Sequence, residues 1–251
     1  MTIAKMLYQN QNANTETSHF GITVGVVTDI NDPEKLGRVK VKLLLRDTSA
    51  FETDFIRVMS PMVGQEWGMF YLPEVGDEVL VGFANGDLAR PYVLGSLYNS
   101  NQKPPVTIQD GKNDTRIIKT RNGNVFSFSD VKEKEKIEIH TPKEIKAILD
   151  DEKEQILLQD KDGKNMVKVD IKNGIVTVAA EKKITLQTGK SFLEIDGSSD
   201  QITIDAGQSM QLKSQQISIQ AKGGIQMQAS SNINIKADGP LNCKGAVVKL
   251  N

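Results

Sequence analysis

Short pairs of apolar residues alternate with polar residues through the last third of the chain. The first pair is Ile184 and Leu186, and a new pair begins about every eight residues after it. An apolar-polar-apolar alternation is the two-residue period of a strand with one buried face. Turn-forming residues such as Gly189, Gly197 and Gly207 separate the pairs. The pattern predicts short strands joined by tight turns, as in a β-helix or solenoid, and so narrow a ladder needs copies of itself to bury its apolar residues.

Residues 21–99 have a different pattern, in which short apolar strands are separated by polar and glycine-rich connections. Five or six such strands in about 80 residues predict a small closed β-barrel of the OB type. The strands are expected at 21–30, 37–45, 55–59, 67–72, 78–83 and 91–97.

The remaining segments complete the predicted organisation. The first 20 residues form an N-terminal arm, 21–99 the barrel, 100–114 a proline-stiffened linker and 115–251 the needle. Within 115–180 further strands are expected between charged turns, at 125–129, 137–140, 155–158, 166–171 and 175–179.

Composition narrows the possible partners and the compartment. The 31 basic and 32 acidic residues are nearly balanced, which argues against nucleic acid as the main partner. The single cysteine, Cys243, excludes an intramolecular disulfide framework. The sequence has no apolar run of about 20 residues and no recognisable signal peptide, so we expect synthesis in the cytoplasm and delivery by an assembled particle.

Several barrel segments carry a family resemblance. Residues 36–41 (LGRVKV), 58–61 (VMSP), 67–81 (WGMFYLPEVGDEVLV) and 90–99 (RPYVLGSLYN) occur in that order, and 120–124 (TRNGN) follows them. In this order and spacing they resemble the spike proteins of contractile injection machines, which include phage baseplate assembly protein V and the VgrG spike of the type VI secretion system.

The resemblance implies an all-β chain with an N-terminal OB-fold and a C-terminal intertwined triple-stranded β-helix, built as a homotrimer. Only about 20 residues precede the barrel, so a separate trimeric hub protein is expected. The linker has no room for the lysozyme domain of some phage spikes. Because His19 and His140 are the only histidines, a His-x-His metal site at the apex is absent, and a separate PAAR-type tip protein is expected instead.

In a three-chain needle each strand is expected to pair with strands of the other two chains, because this removes exposed strand edges. The hub is expected to contact Met6, Leu7, Tyr8, Trp67 and Phe70. The tip protein is expected to contact Val247, Val248, Leu250 and Asn251. The expected needle core is Ile184, Leu186, Leu193, Ile195, Ile202, Ile204, Met210, Leu212, Ile217, Ile219, Ile225, Met227, Ile233 and Ile235.

We predict a non-enzymatic spike that pierces a target membrane when a sheath contracts, with no catalytic residue, metal or cofactor and with room for an effector on its tip. Carboxylate pairs such as Asp150 and Asp151 fit solvated turns better than acid-base chemistry. Two alternatives remain. One is an OB-fold binding module for nucleic acid or glycan on a β-solenoid stalk, with Lys40, Lys42, Arg46 and Arg57 as its basic patch. The other is a carbohydrate-active β-solenoid enzyme.

Overall fold

The computed structural model describes residues 21–44 and 51–249, and the chain divides after Ala180 into two units. The regular secondary structure of the described residues is β-strand, apart from a single 3₁₀ turn at Ala84–Gly86. The strands in the described ranges are β1 (Ile22–Asp29), β2 (Lys40–Leu43), β3 (Phe51–Glu52), β4 (Arg57–Val58), β5 (Val63–Gly64), β6 (Trp67–Gly68), β7 (Glu78–Phe83), β8 (Pro91–Ser96), β9 (Thr115–Lys119), β10 (Val125–Ser129), β11 (Lys136–His140), β12 (Lys146–Asp150), β13 (Gln155–Gln159), β14 (Met166–Asp170), β15 (Ile175–Ala179), β16 (Lys183–Thr188), β17 (Ser191–Asp196) and β18 (Gln201–Asp205).

The first sheet has the order β3-β2-β1-β7-β8-β4 and closes on itself. Its two end strands belong to one extended segment, 51–58. The start of that segment pairs with β2, and its end pairs in parallel with β8. Between them Val39 and Ile56 exchange backbone hydrogen bonds of 3.0 and 2.8 Å. The predicted closed barrel is therefore confirmed, and closure leaves few unpaired edges.

Alternating apolar residues of the barrel strands meet in one core. Val39, Val41, Val79, Val81 and Val93 are fully buried there. The remaining core members are Val27, Leu43, Ile56 and Phe83. This is the inward face that the two-residue period of β2 and β7 predicts.

The next seven strands, β9 to β15, form one antiparallel sheet in chain order. Each strand has five residues and pairs with the strand before it through a short reversal. Several reversals contain a residue of positive φ, either a glycine such as Gly174 or a glutamate such as Glu154. The sequence predicted five of these strands with nearly the observed bounds and missed β9 and β12.

In the second unit, β16, β17 and β18 form a three-stranded antiparallel sheet. Residues 206–249, which the structure also describes, contain no assigned strand. The needle strands are predicted to pair between chains, whereas the strands over 115–205 pair within one chain. The difference arises because the reversals are short enough to bring neighbouring strands of the same chain together.

Candidate interaction surfaces

One face of the seven-stranded sheet carries two columns of apolar side chains that cross nearly every strand. Cross-strand register brings the members of each column directly opposite one another. The first column is Ile118, Phe126, Ile139, Ala147, Leu158, Val167 and Val178. The second is Phe128, Ile137, Leu149, Ile156, Val169 and Val176.

Much of this apolar face is open to solvent within a single chain. Val176 is 67% exposed, Val178 52% and Leu158 51%. The opposite face is mixed: Ile148 and Leu157 lie in the same row as Glu138, which forms an ion pair of 2.9 Å with Lys136. An exposed apolar face of this length is typical of an interaction surface.

The three-stranded sheet repeats the same arrangement. Six of the fourteen predicted needle-core residues form its two columns, and Lys183 on the other face forms ion pairs with Glu194 at 2.9 Å and Asp196 at 3.0 Å. The columns are Ile184, Ile195 and Ile202, and Leu186, Leu193 and Ile204.

The other eight predicted core residues lie in 206–249 and are at least 49% exposed. Val247 and Val248 of the predicted tip interface are 75% and 55% exposed. Leu250 and Asn251 lie outside the described residues, as do Met6, Leu7 and Tyr8 of the predicted hub interface. The assignment of these residues to a core, a hub or a tip stays a prediction.

Trp67 and Phe70 lie on an exposed hairpin of the barrel. Together with Met62, Val63 and Tyr71 they form what we call the hairpin surface, in which Phe70 is 76% and Trp67 is 62% exposed. The Trp67 ring lies so close to Gly64 that a Cβ there would be 1.9 Å from the indole. The ring is thus held against the hairpin while its outer side faces solvent.

Residues at the junction of the barrel and the linker form hydrogen bonds with the start of β7. The Gln102 side chain donates to Asp77 Oδ1 at 2.9 Å, and the Asn99 side chain donates to Glu78 Oε2 at 3.0 Å. Further along, Arg121 forms an ion pair of 2.9 Å with Glu74. These contacts join the barrel and the seven-stranded sheet within the first unit.

Two cations in the basic patch of the alternative binding module contact aromatic rings of the same chain. Lys40 Nζ lies 5.1 Å from the Phe55 ring centroid, and Arg57 Cζ lies 4.8 Å from that of Tyr92. Arg57 also donates to the Tyr92 hydroxyl at 2.8 Å. Ring faces covered by the chain's own cations are poor stacking platforms for bases.

The charged turns have structural roles. The pKa of Asp170 is lowered mainly because its carboxylate accepts hydrogen bonds from the Asn173 backbone and side chain. The pKa of Lys146 is raised by its contact with Glu144. In the described ranges no three His, Cys, Asp or Glu side chains come together as a metal site needs. No helix of these ranges has the length and apolar character to span a membrane.

Sequence reasoning missed the apolar face of the seven-stranded sheet as an interaction surface. Its signal was present in segments such as Ile137-Glu138-Ile139, which have the same alternation as the later repeats. The glycine-marked period near eight residues is absent between 115 and 180, so this region was not counted in the predicted core.

Comparison with known proteins agrees with the barrel and its position. Residues 23–98 match the model of the type VI secretion system/phage-baseplate injector OB domain. The actin cross-linking toxin VgrG1 of Vibrio cholerae is 31% identical over 102 residues, which is 39% of this chain and 9% of the toxin. The type VI secretion system spike protein VgrG3 of Vibrio cholerae is 31% identical over 134 residues, 51% of this chain and 13% of that protein.

A third relative is the type VI secretion system spike protein VgrG2a of Pseudomonas aeruginosa. It is 34% identical over 82 residues, 32% of this chain and 10% of that protein. The chain thus spans only a small part of the length of each of these relatives. The barrel is therefore similar to the injector OB domain, and over the region that the chain shares with these relatives it is similar to VgrG spike proteins.

Proposed function

We propose that the chain is the non-enzymatic central spike of a contractile injection apparatus, of the phage-tail, tailocin, extracellular or type VI-like kind, and that it acts as a homotrimer. The observation that carries the proposal is the exposed two-column apolar face on both needle sheets. A sheet that exposes this face is incomplete as a single chain, because burial of apolar area is the main favourable term in folding and association.

Three copies of the chain complete the apolar core that one sheet leaves open. With the apolar columns turned to a common axis, three sheets enclose a thin core, and the ion-paired faces such as that of Lys136 and Glu138 point to water. A three-fold arrangement is closed, so the exposed faces cannot lead to open-ended fibres. Five-residue strands are about 17 Å long, so strands that run across the needle give a narrow shaft.

The ends of the spike have different partners in this proposal. The barrel end, with the N-terminal arm and the outer loops, binds a separate trimeric hub protein. The C-terminal end, with Val247 and Val248, seats a PAAR-type tip protein that can carry an effector. Sheath contraction supplies the work, and the spike transmits it to a small area of the target membrane, so the chain itself performs no catalytic step.

Co-purification tests these partners. The tagged chain is co-expressed with a candidate trimeric hub protein and a candidate PAAR-type tip protein from the same genome. A matched variant carries Val247→Asp and Val248→Asp. We expect the unaltered chain to retain both proteins and the variant to retain the hub but lose the tip. Recovery of neither protein by the unaltered chain contradicts the proposal.

A further inference from the structure

The hairpin surface is held rigid although it is exposed. The Ser60 hydroxyl donates to the Met69 carbonyl at 2.6 Å, and the Met69 amide donates to the Met62 carbonyl at 3.0 Å. Gly68 has a φ of +140°, and a Cβ there would lie 2.5 Å from the Met62 carbonyl oxygen. The loop therefore presents a fixed apolar shape, which lowers the entropy cost of binding.

This rigid surface is nearly free of charge. Among residues 59–72, Glu66 is the one ionisable side chain besides the Tyr71 phenol. Symmetry around a three-fold axis brings identical residues close together, so a charged patch would repel itself whereas an apolar one would not. The composition favours another copy of the same surface as its neighbour.

The hairpin surface also shares residues with a groove that reaches the first strand of the seven-stranded sheet. A groove of about 430 Å³ contains Trp67, Phe70, Met69 and Tyr71. A second groove, of about 940 Å³, contains the same Met69 and Tyr71 together with Ile118, which begins the first apolar column. Met69 and Tyr71 thus link the hairpin surface to Ile118, and charged residues such as Glu74 and Arg121 line the same groove beside them.

We propose that the hairpin surface packs on a second copy of this chain, as an extension of the needle interface into the barrel, and not on the hub. The inference rests on the homotrimer of the proposed function and assigns Trp67 and Phe70 to the contact between subunits. It ties the three barrels to one another, so that the base of the spike is fixed to its shaft.

Trp67 is the only tryptophan of the chain, so its fluorescence reports on this surface alone. The experiment measures acrylamide quenching of the purified protein with no hub present, alongside its mass by light scattering. The control is the double variant Trp67→Phe with Phe51→Trp, because Phe51 is 53% exposed outside the hairpin surface. We expect a trimer in which Trp67 is quenched several-fold less than the control tryptophan.

The other outcomes separate the alternatives. A trimer in which Trp67 is quenched as strongly as the control overturns the inference but leaves the trimer intact. A particle with the mass of one chain overturns both. A trimer that protects Trp67 only while residues 1–20 are present shows that the N-terminal arm covers the surface, and it also overturns the inference.

Discussion

Arg38 holds the carboxylate of Asp32 from two sides, with Nη2 2.7 Å from Oδ1 and Nε 3.0 Å from Oδ2. The same carboxylate accepts backbone hydrogen bonds from Leu36 at 2.9 Å and Glu34 at 3.1 Å. Gly37 has a φ of +71°, a left-handed conformation that glycine adopts at little cost. The Leu-Gly-Arg motif is therefore the end of a turn organised around Asp32, which leads the chain into β2.

This turn predicts a stability effect with a clear control. Asp32→Ala removes the acceptor of several hydrogen bonds and leaves Arg38 without its main partner, so we expect thermal unfolding of the barrel at a distinctly lower temperature. Glu34→Ala is the control, because the Glu34 side chain is 65% exposed where it contacts Arg38. Equal melting temperatures for the two variants would show that Asp32 does not organise the turn.

The same pair predicts the pH dependence of that effect. Arg38 holds the pKa of Asp32 well below its ordinary value of 3.8, so the ionised carboxylate favours the folded barrel. Its contribution is present above pH 3.8 and is lost progressively as the pH falls below that value. We expect the difference in unfolding free energy between the wild type and Asp32→Ala to shrink in that acidic range and to stay constant near neutrality.

Gly25 is predicted to be required in β1. A Cβ at this position would lie 2.4 Å from Val41 Cγ1, which belongs to the fully buried core. We expect Gly25→Ala to destabilise the barrel by about 1–3 kcal/mol in urea unfolding. Gly95→Ala is the matched control, since nothing lies within 4 Å of a Cβ there.

A double variant tests whether the clash is the cause. Combining Gly25→Ala with Val41→Ala removes the atom that the new Cβ meets. The double variant should therefore lose less stability than the sum of its two single variants. Additive losses would mean that Gly25 is required for another reason.

The apolar face of the sheet can be tested with two neighbouring residues. Val178 lies in the first apolar column, whereas Thr177 points to the other face, opposite Lys168. In the proposed trimer Val178→Glu places three carboxylates in the core, at a cost of several kcal/mol for each buried charge. We expect Val178→Glu to reduce the particle mass and Thr177→Glu to leave it unchanged. An intact Val178→Glu trimer would mean that this face is not the interface.

Hydrogen exchange should distinguish the two parts of the second unit. Residues 183–205 form hydrogen-bonded strands within one chain, whereas 206–249 contain no assigned strand. In a monomeric variant such as Val178→Glu, we expect amide protection in 183–205 and rapid exchange in 206–249. In the trimer both should be protected, because the later segment then finds partners in other chains. Strong protection of 206–249 in the monomer would contradict this account.

The sequence was most informative where a local period determines the structure. The strand at Val125–Ser129 was predicted with its observed bounds, because its alternation and the adjoining Asn122-Gly123 turn are local signals. Alternation shows which face is apolar but not which strand lies alongside. It could not tell that Phe126 pairs with Ile139 of the same chain and not with another copy.

The sequence predicted the candidate surfaces only in part, because they depend on tertiary contacts. Trp67 and Phe70 stand out as large apolar residues in a loop, but their exposure depends on how the hairpin folds over Gly64 and Gly37. Arg38 was visible as a motif residue, whereas its partner Asp32 was not, since the contact requires the whole turn between them. Tertiary contacts of this kind leave no period in the sequence.

The most direct test of the central claim is the native mass of the purified chain, measured by light scattering on a size-exclusion column, with an unboiled sample on an SDS gel. We expect three times the mass of the 27.6 kDa chain, early elution and resistance to SDS. A compact particle with the mass of one chain, dissociated by SDS, would contradict the proposal that three copies bury the apolar faces of the needle.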